Sequence, residues 1–153
     1  MKGEYGQSIY PLEGAQLAPE EEKIKSQHEL KVFMEGATIG SPKLLALNDM
    51  TQWLKADINV KNAERAFKSE PNVDQHKVNL IVAEQEERRI GGEMSHREVS
   101  IEGYHEERSE IRAKAARLRN AYSMTGLEDE YADTCLLKDL SDLRKNAIER
   151  NKQ

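Results

Sequence analysis

Apolar residues recur at steps of three and four between residues 42 and 69, which is the spacing of helix faces. One stripe consists of Trp53, Ala56, Val60, Ala63 and Phe67, and a second stripe beside it consists of Leu47, Met50, Leu54 and Ile58. Ser41 and Pro42 precede both stripes, and serine at the N-cap followed by proline is a preferred helix start. The pattern therefore predicts a long helix over residues 42–69 with a broad apolar face.

Glycine and proline residues divide the rest of the chain into further helical segments. Pro71 ends the first segment, and the pair at 91–92 is predicted to end the next one, because glycine favours helix termini. Gly103 interrupts an ambiguous stretch that we interpret as the start of another helix. The additional helices are predicted at about residues 20–35, 73–90, 96–122 and 126–150.

Two capping-box patterns support the predicted starts of the third and fifth helices. Asn72 with Gln75 and Thr125 with Glu128 have the spacing at which two residues bond each other's backbone N–H groups. The helix after Asn72 carries apolar residues that point in several directions. It is therefore predicted to lie most centrally in the fold.

The apolar spacing between residues 101 and 122 is that of a coiled coil or an antiparallel helix pair. The seam positions are Ile101, Tyr104, Arg108, Ile111, Ala115, Leu118 and Tyr122. A matching stripe in the last segment consists of Leu136, Leu140, Leu143 and Ala147. Because the turn at 123–126 is short, we expect the last helix to fold back antiparallel onto the preceding one.

These segments predict an all-α fold of four to five amphipathic helices, arranged as an elongated bundle or as a coiled-coil-like helical hairpin. Residues 20–153 form a single helical domain in this interpretation. Residues 1–19 hold three glycines and two prolines, which exclude a regular element. They are predicted to form an irregular amino-terminal arm.

The chain of 153 residues contains little bulky apolar material, since 37% of its residues are hydrophobic, many of them alanine, and 33% are charged. An ordinary globular domain has about 45–50% apolar residues. Long apolar stripes that the chain cannot cover by itself predict association with copies of itself or with a larger assembly. The residues predicted to make such contacts are Trp53, Val60, Phe67, Ile111, Leu118, Tyr122, Leu136, Leu140 and Leu143.

Charge and cysteine content narrow the class of protein further. A net charge of −5 with both signs well mixed indicates neither nucleic acid nor a membrane as the partner. Cys135 is the only cysteine, which excludes an intramolecular disulfide and favours a reducing compartment. No apolar run approaches the roughly 18 residues of a membrane span. We therefore expect a cytoplasmic protein, or one within an assembled particle.

Two Glu-x-x-His patterns lie close together, Glu93 with His96 and Glu102 with His105. Residues three apart share a helix face, and carboxylate-bridged di-iron bundles use this pattern with each copy on a different helix. Here the two copies occupy one segment, which Gly103 breaks. We interpret these four residues as weak metal candidates on a charged surface and predict no cofactor.

The segment 108–119 is basic, and its positive residues are Arg108, Arg112, Lys114, Arg117 and Arg119. Phosphate binding favours basic residues gathered on one exposed face. These residues instead flank both sides of the apolar seam, as in coiled coils whose flanks pair with acids. The predicted partners are the acids that open the next helix, Glu128, Asp129, Glu130 and Asp133. Nucleic-acid contact is the alternative interpretation.

The sequence lacks phosphate-binding loops, nucleophile elbows, Cys-x-x-Cys pairs and calcium loops, so an enzyme is not predicted. Asp49 and Asp57 are interpreted as the solvated edge of their helix. The sequence predicts a structural, assembly or adaptor protein that acts through helix-mediated contacts, as particle components and secretion adaptors of similar composition do. One alternative is a small regulator whose segment 108–119 binds either nucleic acid or a protein that itself binds nucleic acid. The second alternative is a metal-binding helical bundle.

Overall fold

The computed structural model describes residues 18–152, and within this range the chain forms five α-helices and no β-strand. The helices are α1 (Pro19–Met34), α2 (Pro42–Ser69), α3 (Asp74–Ser100), α4 (Tyr104–Met124) and α5 (Asp129–Asn151). The predicted all-α class is thereby confirmed for the described part of the chain. Residues 1–17 of the predicted arm lie outside the described residues.

The starts of α1 and α2 follow the local sequence signals. Ser41 caps α2, and its Oγ accepts a hydrogen bond from the backbone N–H of Leu44 at 3.2 Å. Pro42 occupies the first helical position, where its missing N–H leaves no helical hydrogen bond unmade. Pro19 begins α1 in the same way, followed by three glutamates whose charge suits the amino-terminal end of the helix dipole.

Neither predicted capping box forms. The N-cap residues of α3 and α5 are Val73 and Glu128, and neither makes a side-chain capping hydrogen bond. Thr125 instead donates a hydrogen bond from its Oγ1 to the backbone carbonyl of Tyr122 at 2.7 Å. This bond satisfies a backbone carbonyl at the end of α4. The Thr125 hydroxyl is therefore engaged there and does not cap the start of α5.

The glycine pair at 91–92 does not end α3, which continues unbroken beyond it. A glycine in a helix interior costs only about 1 kcal/mol. Ile90 and Met94 on either side are buried together with Ala56 of α2, and this packing offsets the cost. The break lies instead at Gly103, whose φ of 87° is in the left-handed region that glycine tolerates. The predicted boundary between the third and fourth helices is therefore wrong.

α2 and α4 share the central position, since α2 contacts α3, α4 and α5, and α4 contacts each of the other four helices. α1 packs mainly on α4 and to a smaller extent on α5, whereas α3 packs along α2 and only to a small extent on α4. The prediction that the third helix lies most centrally is wrong, because α2 carries apolar stripes on two sides and α3 is needed to cover one of them. These contacts are consistent with a compact bundle.

The main core lies between α1, α2, α4 and α5. Small side chains make a large contribution to it, and the buried alanines of these helices include Ala46, Ala115, Ala121, Ala132 and Ala147. Because the distance between helix axes depends on side-chain size at the contact, alanines let helices approach closely. The chain therefore covers more of its apolar stripes than its low content of bulky residues predicts.

Candidate functional site

Most of the residues predicted to contact other chains are buried within this one. Ile111 and Leu118 are fully buried, and Tyr122, Leu136 and Leu140 are nearly so. They belong to the main core, where α1, α2 and α5 cover the seam of α4. Within this chain, α1 covers the face of α4 that the low content of bulky residues indicated would stay open.

The remaining predicted contact residues are buried or half-buried within the chain. Trp53 packs against the cluster of Ala56, Ile90 and Met94 between α2 and α3. Val60 is buried, and Phe67, two helical turns further along α2, is half-buried. Leu143 is half-buried against the main core. The stripes that the sequence indicates therefore hold the chain's own helices together.

Glu93, the first metal candidate, is engaged by two arginines of its own helix. Its carboxylate lies 2.6 Å from the guanidinium of Arg89 and 3.9 Å from that of Arg97. Arginine remains protonated at any physiological pH, so both contacts compete with a cation. Glu93 serves as a surface ion-pair partner in this arrangement.

The other three metal candidates are spread over two helices and the turn between them. His96 lies exposed on α3, and Glu102 lies exposed in the turn before α4. His105, on α4, has its Nδ1 2.9 Å from a carboxylate oxygen of Glu98. Within residues 18–152, no three histidine, cysteine, aspartate or glutamate side chains gather closely enough to hold a metal ion.

The basic segment on α4 is largely paired with acids of the same chain. Arg119 lies 2.6 Å from Asp133 and 3.6 Å from Asp129, two of the acids that the sequence names as its partners. Lys114 lies 3.1 Å from Glu110, one turn earlier on the same helix. The pairs of Arg119 join α4 to α5, whereas the pair of Lys114 lies within α4.

The rest of the segment is paired with acids that the sequence did not indicate. Arg117 contacts Glu29 of α1 at 2.8 Å, and Arg108 contacts Glu98 of α3 at 2.7 Å. Arg112 is exposed and has no ion-pair partner among residues 18–152. A phosphate backbone needs several basic groups on one face, and in the described part of the chain Arg112 is the one unpaired base of this segment. The interpretation as a nucleic-acid contact stays a prediction.

Asp49 connects α2, α3 and α4, although the sequence suggested a solvated position. Its Oδ2 accepts hydrogen bonds from the hydroxyl of Tyr104 at 2.6 Å and from the guanidinium of Arg97 at 2.9 Å. Tyr104 is fully buried, and burial, followed by the bond to Asp49, raises the pKa of its hydroxyl. The carboxylate therefore has a structural role in joining three helices.

Asp133 makes a similar connection between α2, α4 and α5. Its side chain is 4% exposed and lies 3.1 Å from Lys61 and 2.6 Å from Arg119. Burial alone would raise the pKa of Asp133, but the hydrogen bonds from Arg119 and Lys61 outweigh it and lower the pKa. A groove of about 440 Å³ lies alongside, and Arg65 and Glu130 pair across it at 3.0 Å. Charged side chains that line this groove are thus already paired with one another.

This depressed pKa predicts a loss of stability in acid. The contribution of Asp133 is present above its ordinary pKa of 3.8 and disappears as the pH falls through the lower folded-state value. Asp133→Asn is therefore expected to destabilise the protein at pH 6, by an amount that shrinks as the pH falls below 4. Urea unfolding at several pH values measures this. Asp142→Asn, at an exposed site on α5, is the control, and a pH-independent difference between Asp133→Asn and the wild type would contradict the prediction.

The outer face of α3 carries the densest group of exposed apolar side chains in the described range. Val78, Ile81 and Val82 are 49%, 44% and 57% exposed. A helix places residues three and four apart on one side, so these three form one patch, pointing away from the buried residues Ile90 and Met94. A groove of about 370 Å³ borders this patch and is lined by Ala56, Asn59, Gln75, Val78, Asn79, Val82, Ala83 and Glu86.

Acidic residues collect where α3 meets α2, next to this patch. Burial raises the pKa of Glu87, and its hydrogen bond with Asp57 and the negative charges of Glu64 and Glu84 raise it further. Burial is the largest of these causes, and the repulsion among the carboxylates adds to it. Lys61 lies 3.0 Å from Asp57, so the chain itself neutralises part of this acidic group.

The apolar run that begins at Val78 is evident in the sequence, but the sequence-based prediction placed it inside the fold. The charge pattern distinguishes a buried helix from a surface helix here, because Lys77, Glu84 and Arg88 are interleaved with the apolar residues on the same side. A face with that mixture is typical of a helix surface.

No protein-family model, curated protein or solved structure matches this chain. Between residues 18 and 152, no helix combines the length and hydrophobicity that crossing a bilayer requires.

Proposed function

We propose that the protein is a non-enzymatic assembly or adaptor protein, and that the outer face of α3 is its docking surface for another protein chain. The observation that carries this proposal is the apolar patch of Val78, Ile81 and Val82 on a helix with only α2 packed along it. Exposed apolar residues that occur singly are normal, whereas a contiguous patch is typical of an interaction site.

Covering the patch would stabilise a complex. Each of these three side chains is about half exposed, and covering the remainder contributes about 1 kcal/mol per residue. A straight helix face of this kind suits docking against another helix or in an apolar groove. Association through α3 would also leave the packing of the other four helices unchanged.

The finer architecture and setting belong to the same proposal. The contacts among the helices support a compact bundle in which α3 is the outer helix. We further propose a role in a larger assembly, such as a bacterial or viral particle or a secretion machine, and a location in the cytoplasm or within that particle; the exposed patch on α3 supports the assembly role.

Site-specific photo-crosslinking in the native cells tests the docking surface. The full chain would carry a benzoylphenylalanine in place of Val82 or, as the control, in place of Ile24, which is 61% exposed on α1. We expect cross-linked protein adducts from position 82 and few or none from position 24. No adduct at 82, or equal adducts at both positions, would contradict the proposal.

A further inference from the structure

We infer that the chain docking on the outer face of α3 is a second copy of this protein, with the two α3 helices antiparallel about a two-fold axis beside Ile81. This inference rests on the proposed function, because it names the partner of the same surface. Homodimers commonly have such an axis, across which each residue meets its counterpart in reverse order.

A seam of five residues along α3 carries the argument. The positions follow 3-4-3-4 spacing, which keeps them on one side of the helix. Their order is acid, base, apolar, acid, base, and the residues are Asp74, Lys77, Ile81, Glu84 and Arg88. We call this set the α3 seam. Val78 lies beside it and widens its apolar centre.

The charge order of the α3 seam is complementary to its own reverse. Asp74 and Arg88 lie seven residues on either side of Ile81, and Lys77 and Glu84 lie four and three residues from it. An antiparallel copy centred on Ile81 therefore places Asp74 opposite the partner's Arg88 and Lys77 opposite the partner's Glu84. A parallel copy in register would place each charge opposite its own sign, which is destabilising.

The charged residues of the seam are available for these contacts. Within residues 18–152, none of the four has an oppositely charged group within 4.0 Å. Arg89, which lies next to the seam, is by contrast paired with Glu86 at 2.7 Å. Among the described residues, Arg89 next to the seam is thus paired, and the four charged residues of the seam are not.

The environment of Glu84 points the same way. Glu84 is one of the acids that raise the pKa of Glu87, and no base of the described part of the chain forms an ion pair with it. The partner's Lys77 would bring a positive charge to this acidic group. At the centre, Ile81 would meet the partner's Ile81, with a Val78 packed on each side. The contact is small, so the dimer is weak and depends on protein concentration.

Sedimentation velocity of the full chain over a wide concentration range tests the pairing. We expect the wild type to dimerise with increasing concentration, and more weakly at high salt. Lys77→Glu replaces two attractive pairs by two repulsive ones, so it is expected to raise the dimer Kd about 10-fold. Glu84→Lys alone has the same effect. The double variant with both substitutions restores the attraction in reversed order and returns the Kd to within about 3-fold of the wild type.

Lys138→Glu is the matched control, because Lys138 is an exposed helix lysine beside an acid on α5. It is expected to leave the Kd unchanged, and circular dichroism checks that each variant keeps its helices. Asp74→Arg combined with Arg88→Asp repeats the test at the outer pair.

Each outcome separates the two proposals. A dimer that neither swap weakens, or a double variant that fails to recover, would overturn the antiparallel α3 contact. A wild type that stays monomeric at every concentration, with position 82 cross-linking to a different protein, would overturn the self-pairing and leave the docking function standing. A monomer with no adduct at position 82 would overturn both.

Discussion

Leu118→Ala is expected to lower the free energy of unfolding by about 3 kcal/mol. Leu118 is fully buried in the main core on α4. Removing its branched end loses apolar burial and leaves a cavity, since the surrounding helices relax only in part. This substitution tests directly whether the chain closes the α4 seam with its own helices.

Urea unfolding at matched m-values measures the effect. The control is Leu127→Ala, because Leu127 is 37% exposed in the turn between α4 and α5 and should lose less than about 1 kcal/mol. The experiment should be repeated at two protein concentrations. If another chain completed the seam, the loss caused by Leu118→Ala would itself change with concentration, whereas a dimer through α3 would raise the stability of both proteins alike. A loss below about 1 kcal/mol for Leu118→Ala would contradict a closed intrachain core.

The helices themselves could be predicted because their signals are local. Ser41 and Pro42 start α2 as expected, since a cap and a pre-set φ angle act within a few residues. The end of α3 could not be predicted in the same way. The glycine pair at 91–92 weakens the helix, but Ile90 and Met94 pack against α2 and hold it together, and that contact is not visible in the local sequence.

The sequence did not predict that the chain closes its own core, because composition gives the number of apolar residues and not how well they pack together. Alanines such as Ala115 and Ala147 contribute little apolar area, yet they let neighbouring helices approach and cover large residues such as Leu118. A chain with few aromatic residues can therefore bury its seams. The apolar surface left over lies instead on α3, where Ile81 and its neighbours are interleaved with charges.

Long-range polar contacts were beyond the reach of sequence patterns. Arg97 and Tyr104 are 48 and 55 residues from Asp49 along the chain, and all three meet only because α3 turns into α4 at Gly103. An aspartate on an amphipathic helix is usually solvated, so the pattern around Asp49 indicated a position at the solvated edge of the helix. The burial of this carboxylate follows from tertiary structure alone.

Asp49→Ala is expected to lower the free energy of unfolding by about 3 kcal/mol, comparable to the loss of a core leucine. The substitution leaves the hydroxyl of Tyr104 buried without its acceptor, and an orphaned buried donor costs more than the bond that held it. Arg97 also loses its partner, but it is partly exposed and regains water. Asp142→Ala, at an exposed acid on α5, is the control and should cost less than about 0.5 kcal/mol.

A double-mutant cycle separates the orphaned hydroxyl from the other contributions of Asp49. Tyr104→Phe removes the hydroxyl and keeps the ring in the core, so it should cost about 1 kcal/mol. In the protein with both substitutions the hydroxyl of residue 104 is gone and needs no acceptor, so the combined loss should be smaller than the sum of the two single losses by about 1 kcal/mol or more. Additive losses would mean that Asp49 and Tyr104 do not share a buried hydrogen bond.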